Sequence, residues 1–266
     1  VAIKIGLQDC PPLRLAALRF LVGGAVILGW AALTGRLHGL RVSPGEWRPL
    51  LILGLLFTAQ IGSMNVGTSL TSAAHASILL NLYAVHTVVL AHFLVPGDRL
   101  TPRRLAGVLV AYGGIVLLLS RQATTGAATL RGDLIMFLSA LLLAERTVYL
   151  ARAVQTFEPV KLLLAQAAVG VMLFLLASWA LEPSPVRWTA RLAAAVGFQG
   201  VVVAGFNFIV NLWLLKRHRP SVLATFFLSQ PIFGVLAAAW LTGDRLTPDL
   251  FVAALAVAAG IGLTGR

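Results

Sequence analysis

The sequence predicts an all-α membrane protein: ten transmembrane helices in two inverted five-helix repeats around a central cavity, with the first helix truncated at its N-terminus. Three observations predict it. Hydrophobic residues make up 59% of the 266 residues and charged ones 11%, against roughly 25% charged in a soluble domain. Apolar runs long enough to cross a bilayer follow one another along the chain. Finally, Gly97-Asp98-Arg99-Leu100-Thr101-Pro102 returns as Gly243-Asp244-Arg245-Leu246-Thr247-Pro248, an offset of 146. At the same offset Gly54 meets Gly200, Asn65 meets Asn211, and Gly114-Ile115 meets Gly260-Ile261. The duplication therefore covers whole halves, an ancestry common among membrane transporters.

Between polar breaks the apolar runs are Leu15–Leu33, Pro49–Gly67, Ala73–Val95, Leu105–Ser120, Asp133–Ala153, Val160–Leu181, Leu192–Leu215, Val222–Thr242 and Leu250–Gly265. Each comes close to the roughly 17 to 25 residues of a spanning helix. The repeat supplies a tenth. The run from Asp133 opens the second copy, and its counterpart must precede Pro12, because Pro12 and Val22-Gly23 align with Pro159 and Val169-Gly170 at an offset of 147. Only Val1–Leu7 is left for it. The sequence is thus expected to start inside its first helix, with about 15 residues of that helix preceding Val1. The copies occupy residues 1–120 and 131–266.

Five spans per copy is an odd number, so the second copy enters the membrane from the opposite side. The charges agree. One set of connections carries twelve cations (Arg36, Arg41, Arg48, Arg99, Arg103, Arg104, Arg152, Lys161, Lys216, Arg217, Arg219, Arg266) and the other carries six (Arg14, Arg121, Arg131, Arg187, Arg191, Arg245). Positive residues stay inside, which puts both termini in the cytoplasm. Scattered in this way, the net charge of +12 marks orientation in a lipid bilayer and not a nucleic-acid partner. Trp47, Trp188, Trp213 and Trp240 sit near span ends, where indoles anchor at headgroups. Small residues such as Val22-Gly23-Gly24-Ala25 and those from Ala253 to Gly262 allow close helix packing. Cys10, the one cysteine, has no partner for a disulfide or a metal site and reads as a bystander.

The G-D-R-L-T turn after the fourth span of each copy, Ala106-Gly107 with Gly113-Gly114-Ile115 in the fifth, and the opening Val1-Ala2-Ile3-Lys4, Pro11-Pro12 and Leu18-Arg19-Phe20 carry a resemblance. Over its whole length the chain resembles the EamA family of the drug/metabolite transporter superfamily, and within it amino-acid exporters of the YddG type. The resemblance implies a ten-helix basket: the first four helices of each copy surround the cavity, the fifth helices stand outside, and the halves rock. It implies secondary or facilitative export of small metabolites across the inner membrane, with aromatic or other neutral amino acids first, nucleosides or drug-like cations as the alternative, and no cofactor. Monomer and homodimer both remain open.

Polar residues inside spans are costly in lipid and tend to face a cavity or a partner. At 100° per residue His75, Leu79, Tyr83 and His86 form one stripe, and the repeat carries the first three onto Ser221, Thr225 and Ser229. These seven are the expected cavity residues; helix-to-helix hydrogen bonding is the competing use. Ser77 and Asn81 occupy another face. Asn65 and Asn211, near span ends, read as caps or hinges. Gln60, Gln166, Asn207 and Gln230 are weaker candidates, and Pro231 would kink its helix. Tyr83, Phe206, Phe226, Phe227 and Trp213 offer walls for a hydrophobic side chain.

Glu145 reads as the only carboxylate well inside a span, serving as a proton-coupling site or, preferably, a structural ion pair with Arg19 or Lys4. Downhill transport without it is the expectation. An intramembrane enzyme is the rival from another class. However, H-E-x-x-H and C-x-x-C are absent, and His75 and His86, eleven residues apart, stand about 16 Å apart along a helix. No catalytic residue or metal ligand is expected, and no G-x-x-x-x-G-K-[ST] loop is present to bind a nucleotide.

Overall fold

The computed structural model describes residues 1–94, 99–122, 127–218, 223, 230–244 and 247–264. Among them the chain is helical, without strands. The helices are α1 (Ala2–Gly6), α2 (Pro12–Leu33), α3 (Trp47–Leu70), α4 (Ala73–Leu94), α5 (Pro102–Gln122), α6 (Ala127–Ala153), α7 (Pro159–Leu181), α8 (Ala190–Arg217), α9 (Gln230–Thr242) and α10 (Pro248–Thr264). Among the described residues six of them (α2, α3, α4, α6, α7 and α8) are long and apolar enough to cross a membrane, and α9 and α10 are shorter apolar helices.

Local chemistry sets the helix limits. Prolines open α2, α5, α7 and α10, where the missing N–H is not needed and φ is already helical. Gly35 after α2 and Gly243 after α9 take φ of 69° and 71°, a region that side chains avoid and that terminates helices. Two expectations need correction. Asn65 does not cap α3, which continues to Leu70; its Nδ2 donates to the Ile61 carbonyl at 2.8 Å within the helix. And α6 begins at Ala127, ahead of the apolar run, so that Asp133 lies inside a helix and not at its mouth.

The chain sorts into two compact units: Val1 with Val66–Val148 and His218–Arg266, and Ala2–Asn65 with Tyr149–Arg217. In the second of these, glycines sit at the helix crossings. A Cβ on Gly54 would lie 2.6 Å from Val169 Cβ, and one on Gly200 would lie 2.5 Å from Val22 Cβ. Likewise a Cβ on Gly170 would meet the Phe57 ring at 2.5 Å, and one on Gly23 would meet Ala204 Cβ at 2.6 Å. Both members of each contact map onto the other contact at the offsets of 146 and 147. The start of α2 is bonded to Glu182 at the end of α7, so α2 and α7 run antiparallel.

In the first unit α5 packs on α10. A Cβ on Gly107 would lie 2.6 Å from the Gly260 carbonyl oxygen, one on Gly260 would lie 2.5 Å from that of Gly107, and one on Gly114 would meet Ala256 Cβ at 2.5 Å. Rising numbers on α5 face falling numbers on α10, so this pair is antiparallel too. Without apolar gain between helices in lipid, such close approach is what holds them.

Gly260→Leu should therefore force α5 and α10 apart and cost about 1–3 kcal/mol or more. The expected result is loss of the monodisperse peak and a lowered melting temperature in detergent. Gly113→Ala, where nothing lies within 4 Å of the added carbon, should leave both unchanged or slightly improved.

Candidate functional site

In the first unit the polar centre is a triad at the start of α4. Asp133 of α6 has none of its surface exposed, and His75 only 5%. His75 Nδ1 lies 2.9 Å from Asp133 Oδ2, and Thr71 in the α3–α4 turn donates its hydroxyl to Oδ1 of the same carboxylate. The α4 N-terminus is further held by the Ser72 hydroxyl, which accepts from the His75 N–H at 3.1 Å. Asp244, in the second copy of the repeated turn, accepts from the Ala74 N–H at 2.8 Å. A carboxylate at a helix N-terminus meets both unpaired N–H groups and the positive dipole end.

The remainder of the predicted stripe is less open than a cavity wall would be. Leu79 is fully buried. His86 is buried between Tyr112 of α5 and Phe137 of α6, with ring centroids 5.4 Å from each. Tyr83 is half-buried. Asn81 turns inward and donates to the Ser77 carbonyl at 2.8 Å, which leaves its buried Oδ1 without a hydrogen bond. Ser221, Thr225 and Ser229, with Phe226 and Phe227, lie outside the described residues. Glu145 is exposed and forms no ion pair among the described residues. The buried carboxylate of this helix is Asp133, near the edge of the apolar span Leu130–Ala153.

In the second unit the buried polar groups include Arg19, Gln60, Asn65, Gln166 and Gln199. Arg19 Nη1 donates to Gln199 Oε1 at 3.1 Å, and Gln199 Nε2 donates to the Ala2 carbonyl at 3.1 Å. Gln199 stands in a π-helical stretch of α8, Phe198–Asn207, whose buried residues Gln199, Gly200, Ala204 and Gly205 recur at a spacing of five. That spacing follows from i→i+5 hydrogen bonding, and such stretches occur frequently at functional sites. Beside it Phe20, Phe57, Phe174 and Phe208 form an aromatic cluster, with Phe20 and Phe57 edge-on at 4.6 Å. Asn65 Oδ1 and Gln166 Oε1 are buried acceptors without a hydrogen bond. Phe206 is 64% exposed, and Trp213, half exposed, carries Arg217 3.9 Å over its ring, a span-end arrangement.

The helix ends of this unit are clasped. At one end Glu182 accepts from the Leu13 and Arg14 N–H groups at 2.7 and 3.0 Å. Asp9 there accepts from the Thr189 hydroxyl at 2.7 Å and from Arg191 through both oxygens at 2.9 Å. The Thr189 hydrogen bond, followed by Arg191 and Arg187, holds the Asp9 carboxyl below its ordinary range. At the other end Lys161 Nζ meets Glu46 Oε2 at 2.8 Å, and that bond holds the Glu46 carboxyl down. Cys10 is buried against Leu15 and Leu192; desolvation, with Glu182 nearby, pushes its thiol up to about 11. The thiol is therefore unreactive at neutral pH.

Long apolar helices, ion pairs gathered at helix ends and buried polar side chains between them define a multi-pass helical membrane protein. The chain belongs to the EamA-like transporter family, whose model matches residues 1–120 and 130–266. It is 27% identical to an uncharacterized transporter of Archaeoglobus fulgidus, over 99% of this chain and 91% of that protein. It is also 27% identical to a "probable amino-acid metabolite efflux pump" of Salmonella typhimurium, over 98% and 88%. A solved crystal structure at 22% identity shares the fold, with a TM-score of 0.75 over 99% of this chain and 94% of that one.

Because the Asp9 pKa is lower folded than unfolded, its stabilisation is complete above the unfolded value of about 3.9 and disappears as pH falls through the folded value. Asp9→Asn should lower the melting temperature at pH 7. The gap from wild type should close as pH drops below about 4, and a gap that stays constant with pH would refute this account of the clasp.

Proposed function

We propose that the chain is a secondary or facilitative exporter of small metabolites, chiefly aromatic or other neutral amino acids, in the inner membrane. It works by alternating access of two inverted five-helix repeats, residues 1–120 and 131–266, with both termini cytoplasmic. One observation carries the reading: the two repeat-related glycine crossings, Gly54 on Val169 and Gly200 on Val22, make equivalent contacts in one compact unit. The antiparallel course of α2 with α7 and of α5 with α10 supports inversion, because each is a repeat-related pair and an odd number of spans reverses the second copy. Carriers of this kind have two equivalent halves whose exchange of shape opens a site first to one side and then to the other.

The cargo class is supported by the amino-acid efflux description of the Salmonella relative and by side-chain chemistry. Within the first unit the buried amide oxygen of Asn81 offers a partner for an ammonium group, and half-buried Tyr83 offers an aromatic face. Ser221, Thr225 and Ser229 are the repeat's equivalents of His75, Leu79 and Tyr83 and belong to the proposed pathway.

Two measurements test this. Labelled phenylalanine should show saturable counterflow in proteoliposomes, competed by neutral amino acids more strongly than by nucleosides or cationic drugs. Tyr83→Ala should lower the rate about tenfold, the equivalent of about 1.4 kcal/mol, at unchanged protein level, with a smaller effect from Asn81→Ala. Cysteines placed at Arg99 and Arg245, in a Cys10→Ser background, should react with an impermeant reagent from opposite faces; labelling from one face would refute the inversion.

A further inference from the structure

The triad at the start of α4 is more than a helix anchor. Beyond the N–H of a neutral imidazole, one further proton on His75 or Asp133 makes the pair neutral, whichever atom carries it. Asp133 has no exposed surface, so losing that proton leaves a buried carboxylate whose partners, the neutral imidazole of His75 and the Thr71 hydroxyl, donate hydrogen bonds but no charge. Among the described residues no other cationic side chain is paired with Asp133. On α6 Arg131 is exposed, Glu145 has the same sign as Asp133, and Arg146 lies more than three turns further along the helix. On the α9–α10 turn Asp244 adds a second carboxylate at the Ala74 N–H, with the Val1 amine in its field, and α10 contributes Asp249 in its first turn. The short stretch of α3 in this unit and the described part of α9 have no charged side chain, and the charges of α5 are at its ends, Arg103 and Arg104 in the first turn and Arg121 in the last. His86, the other buried histidine of α4, packs on Tyr112 and Phe137 instead.

We propose that the His75–Asp133 pair is a proton-binding site that couples transport to a proton gradient. Four elements meet at it: the α3–α4 turn through Thr71, α4 through His75, α6 through Asp133 and the α9–α10 turn through Asp244. In the packed state the pair binds one proton. Release to water, giving hydronium and the pair Asp⁻ with neutral His, leaves the uncompensated charge that disfavours this packing. Proton occupancy and the packing of this end of the unit are thus thermodynamically linked. A linked packing change is what a carrier requires to move cargo against its gradient. The proposal rests on the transporter reading and puts coupling at Asp133 in place of the downhill transport expected from the sequence.

The experiment uses the full chain in proteoliposomes with the membrane potential clamped to zero by potassium and valinomycin. Labelled phenylalanine is followed first as counterflow without a pH gradient, and then as accumulation driven by a one-unit gradient imposed in each direction. Wild type should accumulate cargo in one direction severalfold above equilibrium, with a ceiling of about tenfold for one proton. Asp133→Asn should keep counterflow and lose accumulation; Asp133→Glu should retain part of it, and Glu145→Gln all of it. Infrared difference spectra between pH 8 and pH 5 supply a readout independent of cargo, with an imidazole or carboxyl signal present in wild type and absent in Asp133→Asn. Counterflow without gradient-driven accumulation, or equal accumulation in Asp133→Asn, overturns the proton site and leaves the transporter reading standing. Absence of counterflow for every amino acid overturns the cargo reading instead, and the infrared titration then decides the proton site alone, its absence refuting it.

Discussion

Every charge this chain takes into low dielectric must find its compensation within the protein, and that constraint organises what the sequence arranges around it. An ionised group buried without a partner costs far more than a helix crossing can return. The chain meets the constraint in two ways. Exposed loops hold their carboxylates against arginine, lysine and helix N-termini, as Asp9, Glu46 and Glu182 do. Asp133, buried in α6, takes an imidazole whose charge depends on a proton. The first kind of pairing stays in place at neutral pH; the second changes with the proton.

The same solvent explains the glycines. Lipid gives no hydrophobic drive for one apolar helix to join another, so adhesion comes from van der Waals contact and from hydrogen bonds between helices. Gly107 and Gly260 bring two backbones together where a single methyl would collide with a carbonyl oxygen. Gly54 and Gly200 accept a valine in the same manner. A duplicated sequence therefore retains its glycines at equivalent positions because each marks a crossing that both copies need, whereas lipid-facing positions are free to diverge.

This is why so much of the fold was legible in the chain and part of the site was not. Apolar run length and the offset of 146 mark the helices, since length is set by bilayer thickness and depends on no detail of packing. The prolines at Pro12, Pro102, Pro159 and Pro248 fix helix starts for reasons local to the backbone. Asp133 was misplaced because a hydropathy break was taken as a helix end, while the helix in fact begins at Ala127. Asn65 was read as a cap for the same reason. The partners of Asp133 come from Thr71 and His75, about sixty residues away in the chain, a distance that no periodicity reports. The π-helical turn at Gln199 was equally hidden, although buried residues at a spacing of five are its trace once burial is known.

The contrast between Glu145 and Asp133 shows what a coupling residue needs. Both lie on α6, twelve positions apart. Glu145 is exposed, so no neighbouring element of the described structure closes over it. Asp133 is enclosed by three other elements, and on our proposal the proton shared with His75 decides whether they surround a neutral pair or a negative one. Linkage depends on the difference in proton affinity between two conformations and not on affinity in either one. A site that is equally hydrated in every conformation has no such difference, however acidic it is. A site that is dry in one packing and wet in another has it automatically, and the start of α4, where two turns meet α6, is where this chain builds a dry one.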